Sequence, residues 1–281
     1  MNRLLSEKIA FFLLRAAGFV VILPVVIVVY LLVSRGYSAI SWDFFTQMPR
    51  DGMTKGGILS PIVGTLYLMG TTTAIALPLG ILSAVYISEY ARPGLLLRLI
   101  RLAIVNLAGV PSIVYGLFGY GVFVLLLIKV ECILAGALTL AIMTLPVIIV
   151  ATEEALNSVP QGFREASLAL GATRWQTVRK VVLPSALPGI ITGGILGISR
   201  AAGETAPILF TVAAFYMPRL PDSVFDKAMA LPYHLFIMST QVPNAPLRVQ
   251  WGTALTLLLI VLGMNLVASV IRGYYRRKRT W

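Results

Sequence analysis

Phe11 to Val33 is a run of 23 residues whose only charge is Arg15. Apolar runs of similar length recur along the chain. Together they predict six spans, at about 11–33, 62–86, 99–127, 132–151, 185–212 and 251–273. A helix needs about 20 apolar residues to cross roughly 30 Å of hydrocarbon. No water there satisfies exposed backbone groups, so only helices and closed barrels can cross. The period-two alternation of a barrel is missing. The expected fold class is therefore an all-α membrane protein with six transmembrane helices.

Composition agrees. The chain is 58% hydrophobic and 12% charged, whereas a soluble domain is about one-quarter charged. Mean hydropathy is +0.88. A net charge of +12 on a soluble protein would suggest nucleic acid. Here the basic residues flank the apolar runs and read as orientation signals. Membrane lipid is the expected contact, with no nucleic acid. Cys132 is the only cysteine and His234 the only histidine, so neither a disulfide framework nor a metal-ligand spacing exists. His234 falls in an outer connection and reads as a loop histidine. The first run is too long for a signal-peptide core and is expected to remain as a span.

The distribution of Lys and Arg orients the spans. Arg3, Lys8, Arg15, Arg92, Arg98, Arg101, Arg164, Arg174, Arg179, Lys180 and the five between Arg272 and Arg279 fall on one side. Arg35, Arg50, Lys55, Lys129, Arg219, Lys227 and Arg248 fall on the other. This bias of 15 to 7 places both termini in the cytoplasm. The run "YYRRKRTW" is suited to anchoring span six in an anionic leaflet. Gly109, Pro111, Gly116, Gly119 and Gly121 interrupt span three, where a bend or break is expected. Pro146 is placed to kink span four. In the outer connection, residues 213–250, a short interfacial helix is expected over Ser223 to Leu231. Residues 1–57 form an N-terminal segment with the first span, and 58–281 form the core. No internal repeat stands out.

The cytoplasmic stretch "NSVPQGFREASLALGATRWQTVRKVVLP", Asn157 to Pro184, is punctuated for two short helices. Pro160 suits a first helical turn. Phe163, Ala166 or Ser167, and Leu170 fall at helical spacing. Gly171 can end the helix in the left-handed region. Thr173 and Gln176 form a T-x-x-Q capping box that opens a second helix. Two readings follow: an amphipathic hairpin resting in the headgroups, or a docking element for a cytoplasmic partner. The adjacent Glu153 and Glu154 read as a solvated helix end.

Span five carries Arg200 and Glu204 inside "GILGISRAAGETAPILF". From Ser185, at about 1.5 Å per residue, Arg200 lies roughly 22 Å along the helix and Glu204 roughly 6 Å further. A charge at a helix centre costs about 2.5–3.5 kcal/mol on insertion scales, so both should face protein or an aqueous path. Gly189, Gly193, Gly197 and Ala201 form a small-residue stripe suited to close packing. Thr192, Leu196, Arg200 and Glu204 form the adjoining stripe, free to line a seam between subunits. An i,i+4 ion pair could be purely structural, but Arg before Glu is the weaker order along a helix. Thr71, Thr72, Thr73, Asn106, Ser112 and Asn265 are lesser polar candidates that read as hydrogen-bonding groups within the helix bundle.

Glu165-Ala166, Gly171 six residues after the Glu, and Val181-x-Leu183-Pro184 resemble the EAA loop of ABC importer permeases. Ser167 departs from that pattern at its third small position. With "NLAGVPSIVYGLFG", "REASLALGATRWQT", "SRAAGETAP" and "ALPYHL", the stretch from about Gly56 to Arg272 resembles the bacterial phosphate-specific ABC permease family, PstA type. The resemblance implies a type I ABC importer permease fold with a coupling helix at Glu165 to Leu170, in an EAA loop of about 153–184. It implies a bacterial cytoplasmic-membrane location. It also implies a second related permease subunit, two ATP-binding subunits and an external phosphate-binding protein. Arg164, Glu165, Ala166, Ser167 and Gly171 would serve ATPase coupling, with Arg164 and Glu165 pairing with the ATPase rim. Arg200, Glu204 and Thr205 would line the path of phosphate. The guanidinium fork suits a tetrahedral oxyanion, and Glu204 could accept a hydrogen bond from the proton that phosphate retains and sulfate lacks. No phosphate-binding G-x-x-x-x-G-K-[ST] loop is present. The chain is thus expected to bind no cofactor and not to be an enzyme itself, with ATP used by its partners. Permeation of another oxyanion, such as sulfate or molybdate, and secondary anion transport are the alternatives.

Overall fold

The structure, a computed structural model, describes residues 3–277, with side-chain surroundings for Glu7 and residues 9–274. The side chains of Arg3, Lys8 and the basic run from Arg276 onward, offered above as orientation signals and lipid anchor, lie outside those described. Long helices dominate: α1 (Arg3–Gly36), α3 (Leu59–Val85), α6 (Ile133–Asn157), α9 (Leu183–Gly203) and α12 (Leu247–Arg277). Five helical stretches are long and apolar enough to cross a membrane. Among the described residues the count reaches six when a bent pair is taken as one broken span: α4 (Leu95–Ala108) and α5 (Ser112–Gly119), the latter continued by a π-helical stretch to Ile128. The two halves meet at 104°, which is the break expected in span three.

The centre is α6, packed between α3 and α9. The small stripe of α9 lies on it. A Cβ at Gly189 would come 2.4 Å from Ala155 Cβ, and one at Gly193 2.6 Å from Ala151 Cβ. Gly80 of α3 meets Ile148 of α6 in the same way. Missing side chains let the backbones approach, which sustains dispersion contact where no hydrophobic force separates helix from lipid. Most threonines inside this core satisfy themselves, Thr152 of α6 being an exception. Thr65, Thr72, Thr139, Thr144 and Thr256 each donate to the carbonyl four residues earlier at 2.7–2.9 Å. Thr71 and Thr73 do the same, so the hydroxyl protons of Thr71, Thr72 and Thr73 are all spent within α3.

α12 packs on α9, and α1 reaches the bundle through α12. Arg35 sits 5.1 Å over the Trp251 ring there. Phe11 to Val28 of α1 remains largely exposed, as a lipid-facing helix would be.

One end of the bundle carries α2 (Trp42–Thr46), a two-stranded hairpin, β1 (Pro49–Arg50) with β2 (Lys55–Gly56), and the long connection 210–246. That connection closes α6. The amides of Cys132, Ile133 and Leu134 donate to the carbonyls of Thr211, Asp226 and Val224 at 2.8–3.0 Å. These are donors that the first helical turn leaves without intrahelical partners. Here the sequence expectation is corrected. Ser223 to Leu231 is not a helix, because its carbonyls face α6 and its turn is held by the Asp226 carboxylate, which accepts from the amides of Asp222 and Ser223. The helix lies just beyond it, as α11 (Leu231–Thr240), opened by Pro232 in its first turn. His234 on α11 is buried, not a surface histidine. Burial holds its pKa down at about 4, so the ring is neutral at pH 7.

Candidate functional site

The opposite end of the bundle carries α7 (Gln161–Ala169) and α8 (Arg174–Thr177). Both sequence-read caps form. Gly171 has φ +82, and the amides of Gly171 and Ala172 donate to Leu168 and Ser167 carbonyls at 2.9 and 3.2 Å. That is the paired closure of a Schellman turn. Thr173 accepts from the Gln176 amide while the Gln176 side chain accepts from the Thr173 amide. The serine that departs from the family pattern has a role in this turn. Ser167 Oγ lies 2.9 Å from Thr177 Oγ1 and joins α7 to α8 across it.

α7 buries no residue. Glu165 and Ala166 are exposed, and Leu170 is 89% exposed. Arg164 is different: its guanidinium, expected at a partner's rim, is paired within this chain. Its Nη2 donates to Glu89 Oε1 at 2.7 Å and to the Leu156 carbonyl at 2.8 Å; its Nη1 donates to the Val159 carbonyl at 2.7 Å. Glu153 is likewise no free helix end. It binds Arg101 of α4 at 2.6 Å.

Arg200 and Glu204 lie where α9 stops. The helix does not run to residue 212 as expected. It ends at Gly203, Glu204 is extended (φ −75, ψ 131), and a short helix, α10 (Ala206–Leu209), follows. Pro207 explains the break: it has no amide to donate to Gly203 and its ring would strike that carbonyl. Arg200 Nε remains 3.6 Å from Glu204 Oε1, with side chains 42% and 19% exposed. An arginine in the last turn also suits the negative end of the helix dipole. Thr205 caps α10 through its carbonyl, which accepts from Leu209. The stripe of Thr192, Leu196 and Arg200 faces away from the chain's own core, Leu196 being 56% exposed. Ser199, beside Arg200, hydrogen-bonds Asn265 of α12, the inter-helix role expected for that asparagine.

The second break sits alongside. Pro111 frees the Leu107 carbonyl, which accepts from the Tyr115 hydroxyl at 2.7 Å. α5 then packs on α10 so closely that a Cβ on Gly116 would lie 2.8 Å from the Ala206 carbonyl oxygen. Two interrupted helices therefore meet beside the one arginine of α9. Interrupted helices at membrane depth are tolerated where protein or a cavity satisfies the backbone.

Comparison with known proteins places this geometry. Residues 76–281 match the model of the binding-protein-dependent transport system inner membrane component family. The chain belongs to that family. The permease is 35% identical, over 99% of its length and 92% of the relative's, to the phosphate transport system permease protein PstA 1 of Mycobacterium tuberculosis. It is 36% identical over its whole length, and 99% of the relative's, to the probable ABC transporter permease protein YqgI of Bacillus subtilis. Among solved structures, a bacterial alginate ABC importer aligns over 97% of this chain and 99% of its own, with TM-score 0.66 and 16% identity. The MetNI methionine transporter aligns over 78% and 97%, with TM-score 0.59 and 22% identity. These two show the type I importer permease fold.

Sequence reading placed Arg200, Glu204 and Thr205 together, and the structure keeps them together at the break. It missed Glu89, Tyr115 and the Arg101–Glu153 pair. Glu89 and the Arg101–Glu153 pair act across 75 and 52 residues, with only a charge near an apolar run to hint at them, whereas Tyr115 bridges a local break with a bond that its own sequence does not mark.

Proposed function

We propose that this permease is the phosphate-conducting membrane subunit of an ATP-driven importer in a bacterial cytoplasmic membrane. Both termini and α7 face the cytoplasm. A second related permease completes the path, two ATP-binding subunits hydrolyse ATP, and an external phosphate-binding protein delivers the substrate. The observation that carries the reading is kinship with a phosphate transport permease over nearly the whole of both chains.

The site is consistent with it. α7 presents Glu165, Ala166 and Leu170 outward, as a helix entering a cleft on an ATP-binding subunit would. Ser167 and Gly171 hold the turn behind it. Arg200 sits on the outward stripe of α9, where a seam with the second permease would put it on the path. Its guanidinium offers a forked set of donors for a phosphate. Glu204 accepts a hydrogen bond from the proton that phosphate keeps, or keeps Arg200 from holding the anion too tightly. The Thr205 hydroxyl completes the polar lining. No cofactor is bound by this chain in that cycle.

The test is uptake of labelled phosphate by the complete complex in proteoliposomes. ATP inside or outside, as orientation requires, should drive it, and sulfate should not compete. Glu204→Gln should lose the discrimination or slow release. Uptake that follows an ion gradient and ignores ATP would overturn the reading. Normal phosphate uptake by Glu204→Gln, still excluding sulfate, would remove Glu204 from it.

A further inference from the structure

Three consecutive residues at the end of α3 each hold a different part of the loop that carries α7. The Ser88 hydroxyl donates to Asn157 Oδ1 at 3.0 Å, at the end of α6. Glu89 accepts from Arg164 of α7, through Nε at 3.2 Å and Nη2 at 2.7 Å. Tyr90 lies under the Arg174 guanidinium of α8 at 5.5 Å. These three residues belong to a π-helical turn, Tyr86–Tyr90, that extends α3. The widened turn lets successive side chains reach three neighbours.

The Glu89–Arg164 pair is the strongest of these. Its side chains are 9% and 14% exposed. Arg164 also donates to the carbonyls of Leu156, in the last turn of α6, and of Val159, just beyond it. One guanidinium therefore joins the ends of α3 and α6 to the first turns of α7. The other route into the membrane, along the chain from α8 into α9, is covalent. This route is not.

We infer that Glu89 is a positioning residue for energy coupling: through Arg164 it fixes α7 to α3, so that movement of a docked α7 is delivered to α3 as well as α9. α3 packs on both α6 and α9, with Leu77 against Gly194 and Ile148 against Gly80. A shift of its end is felt near the Arg200 segment by rigid contact. A buried ion pair is suited to this task because it defines one geometry even where it contributes little net stability. The inference rests on the importer reading above.

The experiment compares wild type, Glu89→Gln and Glu89→Asp in the assembled complex. It reads phosphate moved per ATP hydrolysed. Glu89→Gln keeps size and removes the charge that orients the fork. Its ratio should fall about tenfold, within the 5–150-fold range of ordinary coupling energies, while ATP hydrolysis persists. Glu89→Asp keeps the charge and should recover part of the ratio. Arg164→Lys, which keeps charge and loses the fork, should behave like Glu89→Gln. The ratio is taken per assembled complex, so a drop in yield does not mimic it. An unchanged ratio in both Glu89→Gln and Arg164→Lys overturns the inference. Equal loss of hydrolysis and transport also overturns it, because a joint that only supports folding would do that. Wild type that moves no phosphate with ATP would instead refute the importer reading.

Discussion

Replacing Gly189 with Ala should change sign with its background. In the native chain the new Cβ would lie 2.4 Å from Ala155 Cβ. Carbon atoms pack at about 3.5–4.0 Å, so the contact is short by at least about 1.1 Å. Ala155 has no rotamer by which to move aside, and the backbones of α6 and α9 must part. Overpacking of this kind costs about 1–3 kcal/mol. Against it stands the helix preference of Ala over Gly, about 1 kcal/mol. The steric term therefore wins or at worst balances, and Gly189→Ala should lower stability by up to about 2 kcal/mol by that subtraction. In the Ala155→Gly background the nearest remaining atom is the residue 155 Cα at 3.3 Å, which a shift of a few tenths of an ångström relieves. The same substitution should there be neutral or stabilising. The assay is the fraction of monodisperse protein left after a graded heat challenge in detergent, for all four members of the cycle. An equal effect of Gly189→Ala in both backgrounds would refute the reasoning, since additivity means that the two positions do not touch.

Two further outcomes are expected. Gly171 adopts φ +82 with no atom near a would-be Cβ, so Gly171→Val should disturb the α7–α8 turn by backbone strain alone, roughly 1–2 kcal/mol. Gly171→Asn should cost less, read as protease resistance of residues 161–177. Asp226 is held below the usual carboxylate range by the Asp222 and Ser223 amides. A lowered folded pKa means a contribution present above the ordinary value, near 3.9, and lost as pH falls through the folded value. Protection of residues 222–226 against hydrogen exchange, taken relative to the intrinsic rate at each pH, should therefore persist above the ordinary carboxylate value and be lost as pH falls below it, whereas Asp226→Asn should remove that change.

The α7–α8 caps were legible because capping is local: Gly171, Thr173 and Gln176 meet partners within five residues. The small stripe of α9 was legible because helical period projects it onto one face. The break at Gly203 was written in Pro207, yet length and hydropathy overrode it, since an apolar run reads as one span whatever its backbone does. His234 misled for the opposite reason: a polar residue in a connection looks exposed until the connection folds back over the bundle.

The sequence by itself determined that this chain is built for lipid, which of its runs are apolar enough to cross, and where the short loop between α6 and α9 turns. Those follow from transfer energies and from caps, which depend on neighbours a few residues away. Tertiary structure alone decided that Arg164 turns inward to Glu89, that α5 meets α10, and that α6 is capped by residues 211–226. Each joins groups 70 or more residues apart in the chain. Such pairings depend on which buried donors and acceptors find each other once helices pack, and no local pattern encodes that.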